Sequence, residues 1–409
     1  MVPEGWKERT IKQSEIELID GDRGKNYPNS KEFFNKQYCL FLSAKNVTRQ
    51  GFKFEECQFI TQKKSESLRK GKLRRKDIII TTRGTVGNCA LYSDDILFEH
   101  IRINSGMLIV RNKDKGIDTE FLYIIFKSPL IEKQIDKFTF GSAQPQLTVK
   151  TVGSIKALLP PLPEQKKIAR ILSTWDKAIE TVDKLIENSK QQKKALMQQL
   201  LTGKKRLPGF SGEWKEVRLG DLLSKASNGM TYDANATEGL PISRIETISD
   251  WKINHKKVGY APNCVETQKF KLKTGDILYS HINSLSHIGK VAIYNGDRDL
   301  YHGMNLLLLR CKPEAADPSY IYFFLNSYHG KKLALRFAKR AINQASISST
   351  DLKSFKMIVP PKEEQKQISQ VLKAVSGSLS KQNEIRTVLI NEKQALMQQL
   401  LTGKRRVEA

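Results

Sequence analysis

Five cysteines in 409 residues stand far apart, at Cys39, Cys57, Cys89, Cys264 and Cys311, and no two have CxxC spacing. Neither a structural zinc site nor a disulfide framework is indicated, and thiols in a reducing cytoplasm are the expectation. His281 and His287 lack a third ligand at useful spacing, so no metal site is expected. No run approaches the roughly 20 apolar residues of a membrane span, and Met1 to Lys7 do not read as a signal peptide. No GxxxxGK[ST] loop occurs, which excludes that mode of ATP binding. Acidic residues are scarce: 43 Asp and Glu face 69 Lys and Arg, a net charge of +26. Such a surplus favours a polyanion, because Lys and Arg neutralising phosphates drive that association.

What is present is a duplication. Ala195–Arg206 and Ala395–Arg406 are identical except for Lys205 against Arg405. Pro160-Pro161 and Glu164-Gln165-Lys166 recur 200 positions later, as Pro360-Pro361 and Glu364-Gln365-Lys366. Gln144 matches Gln344, Asp77-Ile78 matches Asp276-Ile277, and Trp6-Lys7-Glu8 matches Trp214-Lys215-Glu216. Between these anchors the halves differ, so one frame carries two contents.

The frame contains two long amphipathic helices. Apolar residues step by three and four through Ile168, Ile171, Leu172, Trp175, Ile179, Val182, Leu185, Ile186, Leu196 and Leu200. The second copy steps through Ile368, Val371, Leu372, Val375, Leu379, Ile385, Val388, Leu389, Leu396 and Leu400. The pattern is close to a heptad seam, with Gly203 and Gly403 as C-caps. Two copies bury this seam most simply against each other, antiparallel about a two-fold axis. Polar breaks at Ser189–Lys193, Gln382 and Glu392 predict a seam that is not dry throughout, and Gln192, Gln198, Gln199, Gln398 and Gln399 offer surface for docking partners. The division is a first globular domain at 1–159, a helical spacer at 160–203, a second globular domain at 204–359, and a second spacer with a basic tail at 360–409.

The globular domains mix apolar strands (77–82, 107–110, 276–279, 306–309) with helices (121–126, 320–325), a fold of the α+β class. Lys63, Lys64, Arg69, Lys70, Lys72, Arg74 and Arg75 form a basic run, read either as phosphate contacts or as a solvated face. Gly84-Thr85-Val86-Gly87 reads as a turn between strands rather than a phosphate cradle. Asp317-Pro318-Ser319-Tyr320 approaches the (Asp/Asn)-Pro-Pro-(Tyr/Phe) signature of amino-group methyltransferases but lacks its second proline. Its counterpart, Asp118-Thr119-Glu120-Phe121, shares only an Asp N-cap opening a helix. No duplicated catalytic set exists, which argues for recognition rather than catalysis.

The chain resembles the specificity subunit of type I restriction–modification systems. The residues that carry the resemblance are Gly141–Gln144, Pro160–Ile168 with Pro360–Ile368, Ala195–Gly203 with Ala395–Gly403, and Leu207-Pro208-Gly209-Phe210 before Trp214-Lys215. At Ala341-Ile342-Asn343-Gln344 only the Gln is kept. The resemblance implies two target recognition domains, each reading one half of a bipartite double-stranded DNA site, held apart by antiparallel coiled-coil helices. It implies two modification subunits docked on the helices and methylating adenine with S-adenosylmethionine, and restriction subunits using ATP and Mg²⁺. This chain would be non-catalytic and hold none of those cofactors. Candidate DNA contacts lie in the loops that differ between the halves: Arg83 to a guanine edge, with Thr85, and Asn283 to an adenine edge, with Ser280, His281 and Ser284. Lys339, Arg340, Asn343 and Gln344, with Gln144, are candidates in the shared frame, where the two glutamines position backbone or phosphate. The alternatives are a nonspecific basic scaffold and a self-contained restriction–methylation enzyme.

Overall fold

A computed structural model describes residues 2–139, 146–342 and 344–407. The chain forms two compact units, one of Met1–Val182 with Ile385–Ala409 and one of Asp183–Glu384. The helices Leu162–Leu200 and Lys362–Leu401 are continuous, so each unit holds one globular segment, the first half of one long helix and the second half of the other. No helix among the described residues is long and apolar enough to cross a membrane.

In the first unit the central sheet is antiparallel, in the order Ile16–Asp20, Met107–Asn112, Ile78–Thr81, Cys89–Leu91. Both faces of its central strands are covered, which explains their nearly unbroken apolar sequence. Alternation along the strand sends Ile78 and Ile80 into one core with Phe121, Leu122, Ile168 and Leu172. Ile79 and Ile109 enter another core with Leu40, Leu42 and Ile101. That second core is closed by a small sheet of Phe59–Ile60, Cys39–Leu42 and Ile101–Ile103, the last two strands parallel.

The second unit repeats the plan, in the order Leu223–Asn228, Leu307–Cys311, Ile277–Tyr279, Val291–Ile293. Ile277, Leu307 and Leu309 face Ile321, Ile368 and Leu372, while Leu278 and Leu308 face Ile248 and Leu300. The entry and exit strands of each globular segment pair with each other: Lys7–Thr10 with Lys156–Leu159, and Lys215–Arg218 with Lys356–Val359. Asp118 and Asp317 cap the helices Thr119–Phe126 and Pro318–Asn326, each accepting from the third helical N–H at 2.9 Å. The Asp-Pro-Ser-Tyr run is therefore a helix start.

Two repeated polar pairs at the helix starts explain the repeated Glu-Gln. Gln165 accepts from the Asp118 N–H at 2.9 Å and donates to the Gly116 and Pro160 carbonyls at 2.9 and 2.8 Å. Gln365 does the same with Asp317, Ala315 and Pro360. Glu164, fully buried, accepts from the Trp6 indole at 3.2 Å and from Arg406 Nε and Nη2 at 2.8 and 2.9 Å. In the second unit Glu364 accepts from Trp214 at 3.2 Å and from Arg206 at 2.6 and 2.7 Å. Gly203 and Gly403 adopt the left-handed conformation (φ +71° and +69°) that ends each long helix and turns the chain toward these sites.

Every residue assigned to the helix seam as packing or docking is buried or partly buried: Ile168, Ile171, Leu172, Trp175, Ile179, Val182, Leu196, Leu200, Ile368, Val371, Leu372, Val375, Leu379, Leu389, Leu396 and Leu400. Within the first unit Leu172 shares a core with Met397 and Leu400, and Asp176 meets Lys393, so the helix segments run antiparallel. The seam differs from a continuous heptad zip in one respect. Its best-buried residues, such as Leu172 and Leu372, sink into the globular cores rather than only against the other helix. Leu185, Ile385 and Val388, which the spacing also places on the seam, are half exposed, at 49%, 52% and 52%.

Candidate nucleic-acid interface

In the first unit the antiparallel strands Ile78–Thr81 and Cys89–Leu91 are joined by a tight loop. The Thr81 hydroxyl donates to the Thr85 carbonyl, and Gly87 N–H donates to the Thr81 carbonyl at 2.9 Å. Positive φ at Gly84 and Gly87 (+72° and +88°) lets the chain reverse. The loop is thus a turn, with Arg83 and Thr85 exposed at its tip. The Leu147 N–H donates to the Thr82 carbonyl at 3.0 Å, and Gln146 faces Arg83, accepting from its Nη2 at 3.0 Å with the amide oxygen turned inward. Gln144 and the rest of the Gly141–Gln144 run lie outside the described residues, as does Asn343.

The basic run divides into structural and free cations. Lys64 pairs with Glu32 at 2.8 Å. Arg69 reaches Asp22, whose two oxygens also accept from the N–H groups of Gly24 and Arg69. Burial opposes the charge on Asp22, but the two N–H groups and the Arg69 guanidinium outweigh it and hold the carboxyl at about 2. Arg75 lies over the Tyr92 ring and donates to the Ser93 and Ile96 carbonyls at 2.7 and 2.8 Å. Each of these three has a partner within the domain, while Arg69 and Arg75 stay exposed. Lys63, Lys70, Lys72 and Arg74 are exposed and make no ion pair among the described residues.

In the second unit the equivalent loop is longer and forms a strand. Ile282–Asn283 pairs with Ala345–Ser346, which in turn pairs with Lys339–Arg340. This small sheet brings together Asn283, Lys339, Arg340 and Gln344, which the sequence places on separate segments. Lys339, Arg340 and Gln344 are exposed. The Asn283 amide donates to the Ser280 hydroxyl at 3.1 Å, and its oxygen accepts from the Ser284 N–H at 2.8 Å. Ser284 is exposed and its hydroxyl lies 3.0 Å from His287 Nδ1.

Ser280 and His281 are corrected outright: they are 1% and 6% exposed and cannot touch a duplex from there. The strand ends at Tyr279 as the sequence indicates, but the Ser280 N–H donates to the Lys290 carbonyl at 2.8 Å and the Ile347 N–H donates to the His281 carbonyl at 2.8 Å, which holds both residues against the core before the chain reaches the surface. Burial pushes the His281 imidazole below its ordinary pKa. No cluster of three metal-ligating side chains occurs among the described residues.

Sequence reasoning missed the pairs that anchor both loops. Asp77, 1% exposed, takes two hydrogen bonds from Arg111 at 2.9 and 2.7 Å, and Asp276 takes two from Arg310 at 2.7 and 2.6 Å. The repeated Asp was visible; the signal for its partner was an Arg in the next sheet strand of both halves.

A family model described as the type I restriction modification DNA specificity domain matches residues 3–189 and again 211–389. The type I restriction enzyme MjaX specificity subunit of Methanocaldococcus jannaschii is 44% identical over 194 residues, 46% of this chain and 46% of that protein, so the match spans about half of that relative's length. The MjaVIII specificity subunit of the same organism is 27% identical over 324 residues, covering 75% of each chain. In fold, the crystal structure of a type I restriction–modification system S subunit from M. genitalium superposes with a TM-score of 0.64 at 14% identity, over 98% of this chain and 96% of that one.

Proposed function

The chain belongs to the type I restriction–modification DNA specificity family, and from that premise we propose that it addresses a methylation and restriction complex to one bipartite sequence in duplex DNA. Each globular segment reads one half-site, and the two long helices set the spacing and dock two modification subunits. Those partners carry S-adenosylmethionine and methylate adenine; restriction subunits bring ATP and Mg²⁺. This chain performs no chemistry of its own, and the cofactors that the reactions consume act on those partners.

One observation carries the reading. Thr82 and His281 occupy the same place in the two frames, each carbonyl accepting from the segment that precedes the long helix. Beyond that shared point the loops diverge: a short turn presenting Arg83 and Thr85 in one half, a strand beside Asn283, Lys339 and Arg340 in the other. A constant frame with variable exposed donors is what reading two different half-sites needs. The surplus of 69 Lys and Arg over 43 Asp and Glu supplies the sequence-independent attraction to phosphate.

Adenine methylation mapped across a genome with this chain present and absent tests the proposal. A single two-part motif, with modified adenines only when the chain is present, is the expected result. In gel-shift competition, random duplex should compete poorly with that motif at moderate salt. Equal competition would establish the nonspecific scaffold instead.

A further inference from the structure

The second unit contains an open cleft of about 860 Å³ lined by both long helices and the globular segment. Lys193, Lys252 and Lys331 line it together with Trp251 and Phe323. Lys193 Nζ lies 6.0 Å from the centre of the Phe323 ring, and Lys331 Nζ lies 4.3 Å from the centre of Trp251. Lys252 Nζ donates to the Ser380 hydroxyl at 3.4 Å. None of these three lysines pairs with a carboxylate among the described residues. The two acids of the cleft, Asp250 and Asp297, are engaged by Lys257 at 3.4 Å and His255 at 3.2 Å.

The internal repeat shows what is missing. Lys393 is the counterpart of Lys193, and Asp176 the counterpart of Ser376, each at the same 200-residue offset. In the first unit Lys393 Nζ donates to Asp176 Oδ1 at 2.5 Å, a pair nearly covered on the lysine side. In the second unit Ser376 stands where the carboxylate would be, and its hydroxyl is spent on the Leu372 carbonyl at 2.7 Å. Lys193 keeps the lysine and has lost the counter-ion. Burial, and then the neighbouring charge of Lys252, push the Lys193 ammonium below its ordinary pKa; burial does the same to Lys331. Trp251 adopts a left-handed backbone (φ +62°), unusual for a bulky residue, and its carbonyl accepts from the Tyr322 hydroxyl at 3.3 Å. The strained turn holds an indole and a cluster of cations at one mouth.

We propose that this cleft binds a phosphate-bearing ligand of nucleotide size, with Lys193 as its principal cation and Lys252 and Lys331 beside it. An ammonium group is a point-charge partner for phosphate, and a cavity of this volume with aromatic walls and a few polar groups suits a small organic anion. The phosphate has two possible sources, a free nucleotide or the backbone of duplex DNA. The second source rests on the DNA binding proposed above and the first does not, and the duplex competitor separates the two.

Equilibrium dialysis of the full chain against labelled ATP at fixed ionic strength tests it, with inorganic phosphate and random-sequence duplex as competitors. Saturable binding displaced by inorganic phosphate is expected. Lys193→Ala should weaken it about tenfold or more, the loss of one charge-assisted contact. Ser376→Asp should weaken it as much, by rebuilding the ion pair of the other half, and should melt no lower than the parent chain. Displacement of ATP by duplex identifies DNA as the source of the phosphate, and resistance to duplex identifies a free nucleotide. Absence of saturable ATP binding, or equal binding in the parent chain and both variants, overturns the proposal.

Discussion

Asp77→Asn probes the repeated ion pair beneath the candidate loops. Asp77 is 1% exposed and Arg111 12%, so an Arg111 left without its carboxylate cannot be fully rehydrated in place. Removing one partner of such a buried pair costs about 3–5 kcal/mol. Glu17, 3.9 Å from Arg111, and the Lys72 carbonyl at 3.2 Å recover part of that. The expectation is a loss of about 3 kcal/mol in the first unit. The same change at Asp276 should cost less, about 2 kcal/mol, because Arg310 is 28% exposed and can draw on water. The double variant Asp77→Asn with Arg111→Met should recover most of the first unit's loss, since no unpaired guanidinium is left buried and the Asn oxygen still accepts from the Arg74 N–H, 2.7 Å from the carboxylate in the parent. The pairs Lys156–Glu8 and Lys356–Glu216 are repeated just as faithfully but lie at the surface, and deleting either should cost at most about 1 kcal/mol. Urea denaturation combined with amide hydrogen exchange resolves the two units, which need not unfold together. A loss below about 1 kcal/mol for Asp77→Asn, or a double variant no better than the single one, would refute the reasoning.

Three further outcomes follow from the structure. Gly377 lies inside a long helix, and a Cβ added there would meet nothing within 4 Å, so Gly377→Ala should stabilise the second unit by about 0.5–1 kcal/mol in chemical denaturation. Burial pushes His302 from 6.5 down to about 4, against the opposing hydrogen bond to the Leu306 carbonyl. Its folded pKa is below its unfolded one, so its contribution is complete above 6.5 and is lost as pH falls toward 4. The second unit should lose about 2 kcal/mol between pH 7 and pH 5, and His302→Asn should flatten that slope; a variant with the parent's slope would exclude His302 as the cause. Arg83→Ala should relax preference in one half-site only, by about 1–3 kcal/mol of discrimination in competition binding, whereas uniform weakening across all sequences would make Arg83 a phosphate contact.

The long helices were legible because nearly forty residues of three- and four-step periodicity leave little room for another conformation. The strands were legible where both faces are buried, as at Ile78–Ile80, since an unbroken apolar run in a mixed domain has few alternatives. What stayed hidden depends on residues distant in sequence. Asp77 and Arg111 meet only because two strands pair in one register. The basic run looked uniform, yet Arg69 and Arg75 have partners supplied by Asp22, Ser93 and Ile96, and no local pattern separates them from Lys70 and Lys72. Ser280 and His281 were misplaced because polar side chains after a strand suggest an exposed loop, while Lys290 and Ile347, distant in sequence, bond their backbone and bury them. The repeated helix ends were read as the tip of a spacer; their Arg206 and Arg406 in fact reach the carboxylates at the two helix starts.

Those two joints differ in one respect. Arg206 and Trp214 are linked by the short segment of residues 207–213, whereas Trp6 and Arg406 are 400 positions apart in sequence. The same three groups nevertheless meet in each, with the indole 3.2 Å from the carboxylate in both and the arginine stacked 5.6 Å over the ring in both. One pair is eight positions apart in sequence and the other 400, and the geometry does not register the difference. The backbone between Leu207 and Glu213 therefore acts as a tether that raises local concentration, while side chains alone set the position.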